Sequence, residues 1–279
     1  MAVQCLDGFV QLPSTVVEIT KRLNGSIDDW LMIDAERCAF LAMMTKLKPR
    51  CAIEVGVYRA GSLAVLASYS EKVYAIDIDP VCVELYATKF PNVTFITGTS
   101  QDTLPGLIEH IQKTREPLDF VVIDADHTEK GVRGDIESML HYQPHQPLYI
   151  IMHDSFNPGC RKGIKEAAWS ESPFVHLVEL DFVPGRLISD EAESDYREMW
   201  CGFALAVLLP EKRAGSLIVH ENESLLFQAA LRESVYRYEN SRNPLVYISS
   251  LAERTRRAAY LLKNDRPAFC AAIKRRITR

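Results

Sequence analysis

Glu54, Asp77, Asp124 and the pair His153/Asp154 each follow directly on the last apolar residues of a short β-type run. Carboxylates accept hydrogen bonds, balance cations and bind metals, and imidazole can ligate a metal or carry a proton near neutral pH. One acid after a strand is more often a turn former or helix cap than a ligand. Four such positions mean more if the runs are parallel strands, because their carboxyl ends then share one edge, and ligands of open α/β sheets bind there.

The first of these loops, from Glu54 through Gly56, Tyr58, Ala60 and Gly61 to Ser62, excludes two familiar phosphate cradles. A dinucleotide turn needs a small residue where Tyr58 stands, so that the backbone can approach the pyrophosphate. A nucleoside-triphosphate loop needs a lysine after its last glycine, and here that residue is Ser62. What remains is a turn in which Gly56 admits a ligand to the backbone beside the negative charge of Glu54, which suits a cationic ligand. About twenty residues on, Asp77 occupies the position from which an acid accepts hydrogen bonds from ribose hydroxyls. Asp79, followed by Pro80, reads as the cap of the next helix.

The elements that must carry these residues are visible in the hydrophobic pattern. Nearly continuous apolar runs at 51–54, 73–76, 93–97, 120–123 and 148–152 read as strands buried on both faces. Helical spacing fills 61–70, 80–89, 101–114 and 129–141, the last with Val132, Ile136, Met139 and Leu140 on one stripe. A further helix near 161–170 and closing strands at 173–181 and 199–209 complete a seven-stranded, mostly parallel, doubly wound α/β sheet. Asp34 opens a helix that carries Phe40, Leu41, Met44 and Leu47 on one face until Pro49. The expected division is a helical flank or lid at 1–50, a catalytic domain at 51–209 and a helical extension at 210–279, with 221–240 offering a face for self-association.

Composition limits the partners. The chain has 279 residues, 47% hydrophobic and 25% charged, with a net charge of −5, which excludes collagen-like, disordered and disulfide-scaffold classes. Its longest apolar runs fall far short of a bilayer span, and the first residues lack the pattern of an export signal. Seven scattered cysteines fit reduced thiols in the cytoplasm. The segment 248–279 carries nine Lys and Arg against two acids, interleaved with apolar residues as on a solvated amphipathic helix rather than a nucleic-acid surface. A small molecule is the expected partner.

From about Met32 to Gly159 the chain resembles the class I S-adenosylmethionine-dependent methyltransferases. Within them it resembles the metal-dependent O-methyltransferases related to catechol O-methyltransferase. EVGVYRAGS, YAIDIDP, GTSQDTLPGL, VVIDADH and IIMHDSFNPG carry the likeness jointly. The IDADH and HD forms are most similar to the branch with sugar and macrolide O-methyltransferases and cephalosporin-hydroxylase-like proteins. The resemblance implies that Glu54, Gly56, Tyr58 and Ser62 line the methionine end of S-adenosylmethionine. It gives Asp77 the ribose and Ser100 with Gln101 the adenine, although Ser100 also reads as a helix cap. Ala60 stands where the family often has glycine, leaving Gly61 to absorb the strain of the turn.

The same resemblance makes strands four and five neighbours, so Asp124, which also borders the cofactor, and Asp154 can share one divalent cation. Magnesium is the default, but His153 stands where the family has an acid, and its coordination would favour manganese or iron. His127 takes the place of the family's general base toward a hydroxyl of a sugar, polyketide or similar metabolite. Arg161 and Lys162 in the loop 157–163, with the insertion 183–199, are expected to overhang the acceptor. Three readings compete: a metal-free methyltransferase using His127 and His153 as bases, an RNA-directed enzyme using the basic tail, and a cofactor-binding scaffold without turnover.

Overall fold

A computed structural model describes residues 30–190 and 193–238. The basic tail lies outside the described residues, as do the first 29 positions.

The strands of the large sheet are β1 Cys51–Val55, β2 Lys72–Asp77, β3 Val93–Thr97, β4 Leu118–Ile123, β5 Leu148–His153, β6 Val175–Val183, β9 Phe203–Leu208 and β10 Val219–His220, while β7 Arg186–Asp190 and β8 Glu193–Trp200 make a two-stranded sheet of their own. The large sheet runs β10-β6-β9-β5-β4-β1-β2-β3. It has eight strands, one more than expected, because Val219 and His220 add a short parallel partner to β6. Only β9 is antiparallel, to both β5 and β6. The strand order reverses between the parallel neighbours β1 and β4, so a crevice opens at that point on the carboxyl edge.

Alternation along the strands divides the core between two faces. Ile53, Ile76, Val121 and Ile150 pack with Leu104, Ile108, Ile136 and Ile164, which lie on α4 Ser100–Thr114, α5 Glu129–Met139 and α6 Pro158–Glu166. Ala52, Ala75, Val122 and Ile151 pack with Phe40, Met44, Leu63 and Leu66, which lie on α1 Asp34–Leu47 and α2 Gly61–Tyr69. A short α3, Val81–Tyr86, joins β2 to β3. The helix α1 is therefore part of the covering layer on one face.

Two sequence expectations change. The segment 199–209 is not one strand, because Cys201 and Gly202 both take positive φ, 67° and 89°, and separate β8 from β9. The segment 157–163 is not a loop: Asn157 caps α6 by accepting from the amides of Gly159 and Cys160, with Pro158 in the first turn. Arg161 is consequently buried and paired with Asp181 at 2.7 Å, and Lys162 pairs with Glu129 at 2.9 Å, so neither cation overhangs an acceptor as a loop residue. The insertion forms the β7/β8 hairpin. Among the described residues, 186–190, 193–200 and 223–238, including α7 Ser224–Glu233, form one compact unit, and the large sheet with α1–α6 forms another. No helix among the described residues is long and apolar enough to cross a membrane.

Candidate active site

Each strand of the β1–β2–β4–β5 group carries one of the acids singled out above at or next to its carboxyl end. Glu54 is the penultimate residue of β1 and fully buried. Its Oε1 accepts from the Ser62 hydroxyl at 2.5 Å, while Oε2 has no hydrogen-bond partner. Burial, opposed by the Ser62 hydrogen bond and reinforced by the charges of Asp124 and Asp77, pushes its carboxyl up to about 8. A buried acceptor without a donor is costly, so Oε2 marks where a cationic donor would be stabilised.

The loop after β1 is held in shape from β2. Asp77 Oδ2 accepts from the amides of Val57 and Tyr58 at 2.8 and 3.1 Å, and Oδ1 accepts from the Asp79 amide at 2.8 Å. A carboxylate offers about four lone-pair sites, so this leaves Asp77 room for one further donor. Asp79 accepts from the Val81 amide at the start of α3, as a cap should. The strain of the turn falls on Tyr58 (φ 46°) and Ala60 (φ 59°), whereas Gly61 simply begins α2. Tyr58 is 65% exposed, which leaves its ring at the mouth of the loop.

Gly56 is required for two reasons. Its φ of 93° disfavours any side chain, and a Cβ would overlap the carbonyl oxygen of Asp124. Gly56→Ala is therefore expected to push the β1 and β4 loops apart at a cost of ~1–3 kcal/mol of backbone strain, read as a loss of stability in denaturant unfolding. An open cleft lies against this loop, lined by Gly56, Tyr58, Ser62 and Asp124 together with Trp30, Leu31 and Met32.

Ser100 and Gln101 begin α4. The cap is Thr99, which accepts from the Asp102 amide, so Ser100 does not cap and is instead the buried first helical residue. Gln101 donates from Nε2 to Oδ1 of the buried Asp135 at 3.0 Å, which fixes the orientation of its amide.

The second cluster sits where β4 and β5 end. Asp124, His127, His153 and Asp154 bring four ligand-type atoms within 4.8 Å of one another. His127 Nε2 lies 3.3 Å from Asp124 Oδ1 and 3.1 Å from Asp154 Oδ2. His153 Nδ1 lies 3.0 Å from Asp124 Oδ1 and 3.6 Å from Asp154 Oδ2. The other Asp154 oxygen accepts from the Cys201 amide at 2.6 Å, which fixes the carboxylate plane.

Electrostatics follow from this packing. Burial works against ionised carboxyls at Asp124 and Asp154, but the two histidines outweigh it and hold both below the usual range. Burial also works against charged imidazoles, and again the carboxylates prevail. They hold His127 up at about 10 and His153 well above its ordinary value.

One contributor escaped the sequence reading. Glu36 on α1 is fully buried, accepts from the Gly202 amide at 2.5 Å and comes within 3.1 Å of His153 Nε2. The only local signal was its place three residues after Ile33, whose amide it caps at 2.7 Å.

A family model for a methyltransferase domain matches residues 53–155. No curated protein matches the sequence. Among solved structures, an O-methyltransferase from Bacillus cereus, described in complex with S-adenosylhomocysteine, is 15% identical with a TM-score of 0.46, covering 71% of this chain and 90% of that one. The O-methyltransferase TomG from Streptomyces achromogenes, described in complex with S-adenosylmethionine, is 13% identical with a TM-score of 0.47, covering 72% and 90%. The N-methyltransferase NodS from Bradyrhizobium japonicum is 14% identical with a TM-score of 0.41, covering 71% and 99%.

Proposed function

We propose that this chain, whose residues 53–155 match a methyltransferase-domain model, transfers the methyl group of S-adenosylmethionine to a hydroxyl of a small molecule with the help of a divalent cation. The observation that carries the reading is the adjacency of two unlike sites on one sheet edge. Glu54 offers an unpartnered buried oxygen, and two carboxylates with two imidazoles converge beside Asp124, which borders both.

In this reading Glu54, oriented by Ser62, receives the amino group of the cofactor, while Gly56 lets its methionine end lie against the loop. Asp77 uses its remaining lone pair on a ribose hydroxyl. Ser100 and Gln101 meet the adenine, and Tyr58 covers the mouth. The donor set of Asp124, Asp154 and His153 fits a divalent cation, and an imidazole among the ligands favours manganese or iron over magnesium. Such a cation, when bound, lowers the pKa of an acceptor hydroxyl and neutralises the carboxylates that otherwise keep His127 protonated.

The chain's own residues then have separable tasks. His127 is half-exposed with Nε2 between Asp124 Oδ1 and Asp154 Oδ2, so it would accept the hydroxyl proton once a cation holds those carboxylates, whereas His153 is buried. Asp154, anchored by the Cys201 amide, resists displacement when the acceptor enters. The rate gain comes from holding oxygen and methyl carbon in line at near-attack distance. The five described cysteines are free thiols, which supports a reducing compartment such as the cytoplasm.

The test is S-adenosylhomocysteine formation with catechols and methyl glycosides as acceptors, with product position read by mass spectrometry. Methylation of oxygen that stops in EDTA and returns with Mn²⁺ is the expected result. Methylation that persists in EDTA contradicts the cation, and methylation of nitrogen alone contradicts the acceptor class.

A further inference from the structure

We propose that Glu36 is a positioning residue that fixes the tautomer of His153, so that Nε2 carries the proton and the Nδ1 lone pair faces a divalent cation held by Asp124 and Asp154. The inference rests on the cation reading above and makes the centre a mixed nitrogen and oxygen site.

The two ring nitrogens of His153 face different surroundings. Nδ1 is turned toward Asp124 Oδ1 at 3.0 Å and Asp154 Oδ2 at 3.6 Å. Nε2 is turned away from the cluster, with Glu36 Oε1 at 3.1 Å. That approach is a charge contact rather than an aligned hydrogen bond, since Nε2 has no partner of good geometry. Glu36 is nonetheless the carboxylate beside Nε2, and a small ring rotation would align the pair. The Phe203 ring packs beside the imidazole, its centre 5.6 Å from that of His153.

Glu36 is itself held through both carboxylate oxygens. Oε2 accepts from the Ile33 amide at 2.7 Å, and Oε1 accepts from the Gly202 amide at 2.5 Å. With about four lone-pair sites on a carboxylate, these two donors leave capacity for His153. Helix capping and the tie to Gly202 account for a buried glutamate, but they do not explain an imidazole beside it. A carboxylate on the far nitrogen of a metal-binding imidazole is a recurrent device that fixes the tautomer and raises ligand basicity. The helix α1 would in that case contribute to the chemistry as well as to the core.

The experiment uses the full chain and Mn²⁺. In Glu36→Gln, Mn²⁺ affinity by electron paramagnetic resonance titration is expected to fall roughly 10–100-fold, while calorimetric S-adenosylmethionine affinity stays at the wild-type value and reports an intact fold. The substituted amide has one acceptor for two backbone amides, which threatens folding, so a second measurement needs no variant at this site. In wild-type protein labelled with ¹⁵N-histidine and loaded with Zn²⁺, His153, assigned by its loss in His153→Asn, should show a protonated Nε2 and a metal-shifted Nδ1. A proton on Nδ1 of His153 with Zn²⁺ bound overturns the inference and leaves the cation reading standing. Unchanged Mn²⁺ affinity in folded Glu36→Gln overturns it as well. Failure of the wild-type protein to take up Mn²⁺ removes the cation reading and this inference with it.

Discussion

Asp124→Asn is expected to lower Mn²⁺ affinity by on the order of 10²–10³-fold, because removing one charge of a buried, hydrogen-bonded pair costs ~2–5 kcal/mol. The substitution preserves shape, so the loss is electrostatic. Asp124 Oδ1 lies close to both histidines, 3.3 Å from His127 Nε2 and 3.0 Å from His153 Nδ1. Without its charge, Asp154 is, among the described residues, the one carboxylate left facing both imidazoles, with Glu36 beside His153 Nε2 alone. Oxygen methylation should fall with cation affinity, while S-adenosylmethionine binding changes far less. A variant that binds Mn²⁺ as the wild type does would remove Asp124 from the ligand set.

The second large effect concerns pH and Glu54. Its carboxyl is raised from 4.5 to about 8 by burial, so near pH 7 the free protein holds it mainly protonated. For stability the sign is simple. The native state keeps a proton that the unfolded chain loses, so this contribution is complete below 4.5 and fades as pH rises through about 8. Binding of a cationic amino group has the opposite sense, since it requires the carboxylate and expels the proton. With an α-amino pKa of ~7.7–8.0 on the ligand, affinity should peak near pH ~8 and fall about tenfold per unit below pH ~7. Calorimetry in buffers of different ionisation enthalpy should register release of one proton on the acid side. Glu54→Gln should flatten the profile and weaken binding on the order of 10²-fold, as expected when one member of a buried charged pair is truncated. A wild-type affinity independent of pH between 6 and 8 would contradict this role for Glu54.

How much of this was legible in the sequence depends on the range of the interaction. The acids at Glu54, Asp77, Asp124 and Asp154 were readable because a strand end is a local pattern, and parallel topology brings such ends to one edge whatever the loops do. The parallel core came with the alternation of apolar runs and helical stripes. The cap of α6 was also local, since Asn157 before Pro158 is a helix start, but the stretch 157–163 read as a loop, whereas Arg161 and Lys162 are helical. The break at Cys201 and Gly202 was hidden inside an apolar stretch, because nothing in the pattern announces two successive positive φ values. Glu36 was illegible for a different reason: its amide partner Gly202 lies 166 positions away. No periodicity encodes such a contact, and only the packing of α1 over the sheet brings it about.

In the proposed mechanism one sheet edge grips an adenosyl sulfonium beside a divalent ion. Calorimetric titration of the folded protein with S-adenosylmethionine, in the presence of Mn²⁺, tests it most directly. The expected result is saturable uptake at one site per chain that is weakened strongly by Glu54→Gln and by Gly56→Ala. Folded protein that takes up none of the compound, or that binds it equally well in both variants, would contradict the claim.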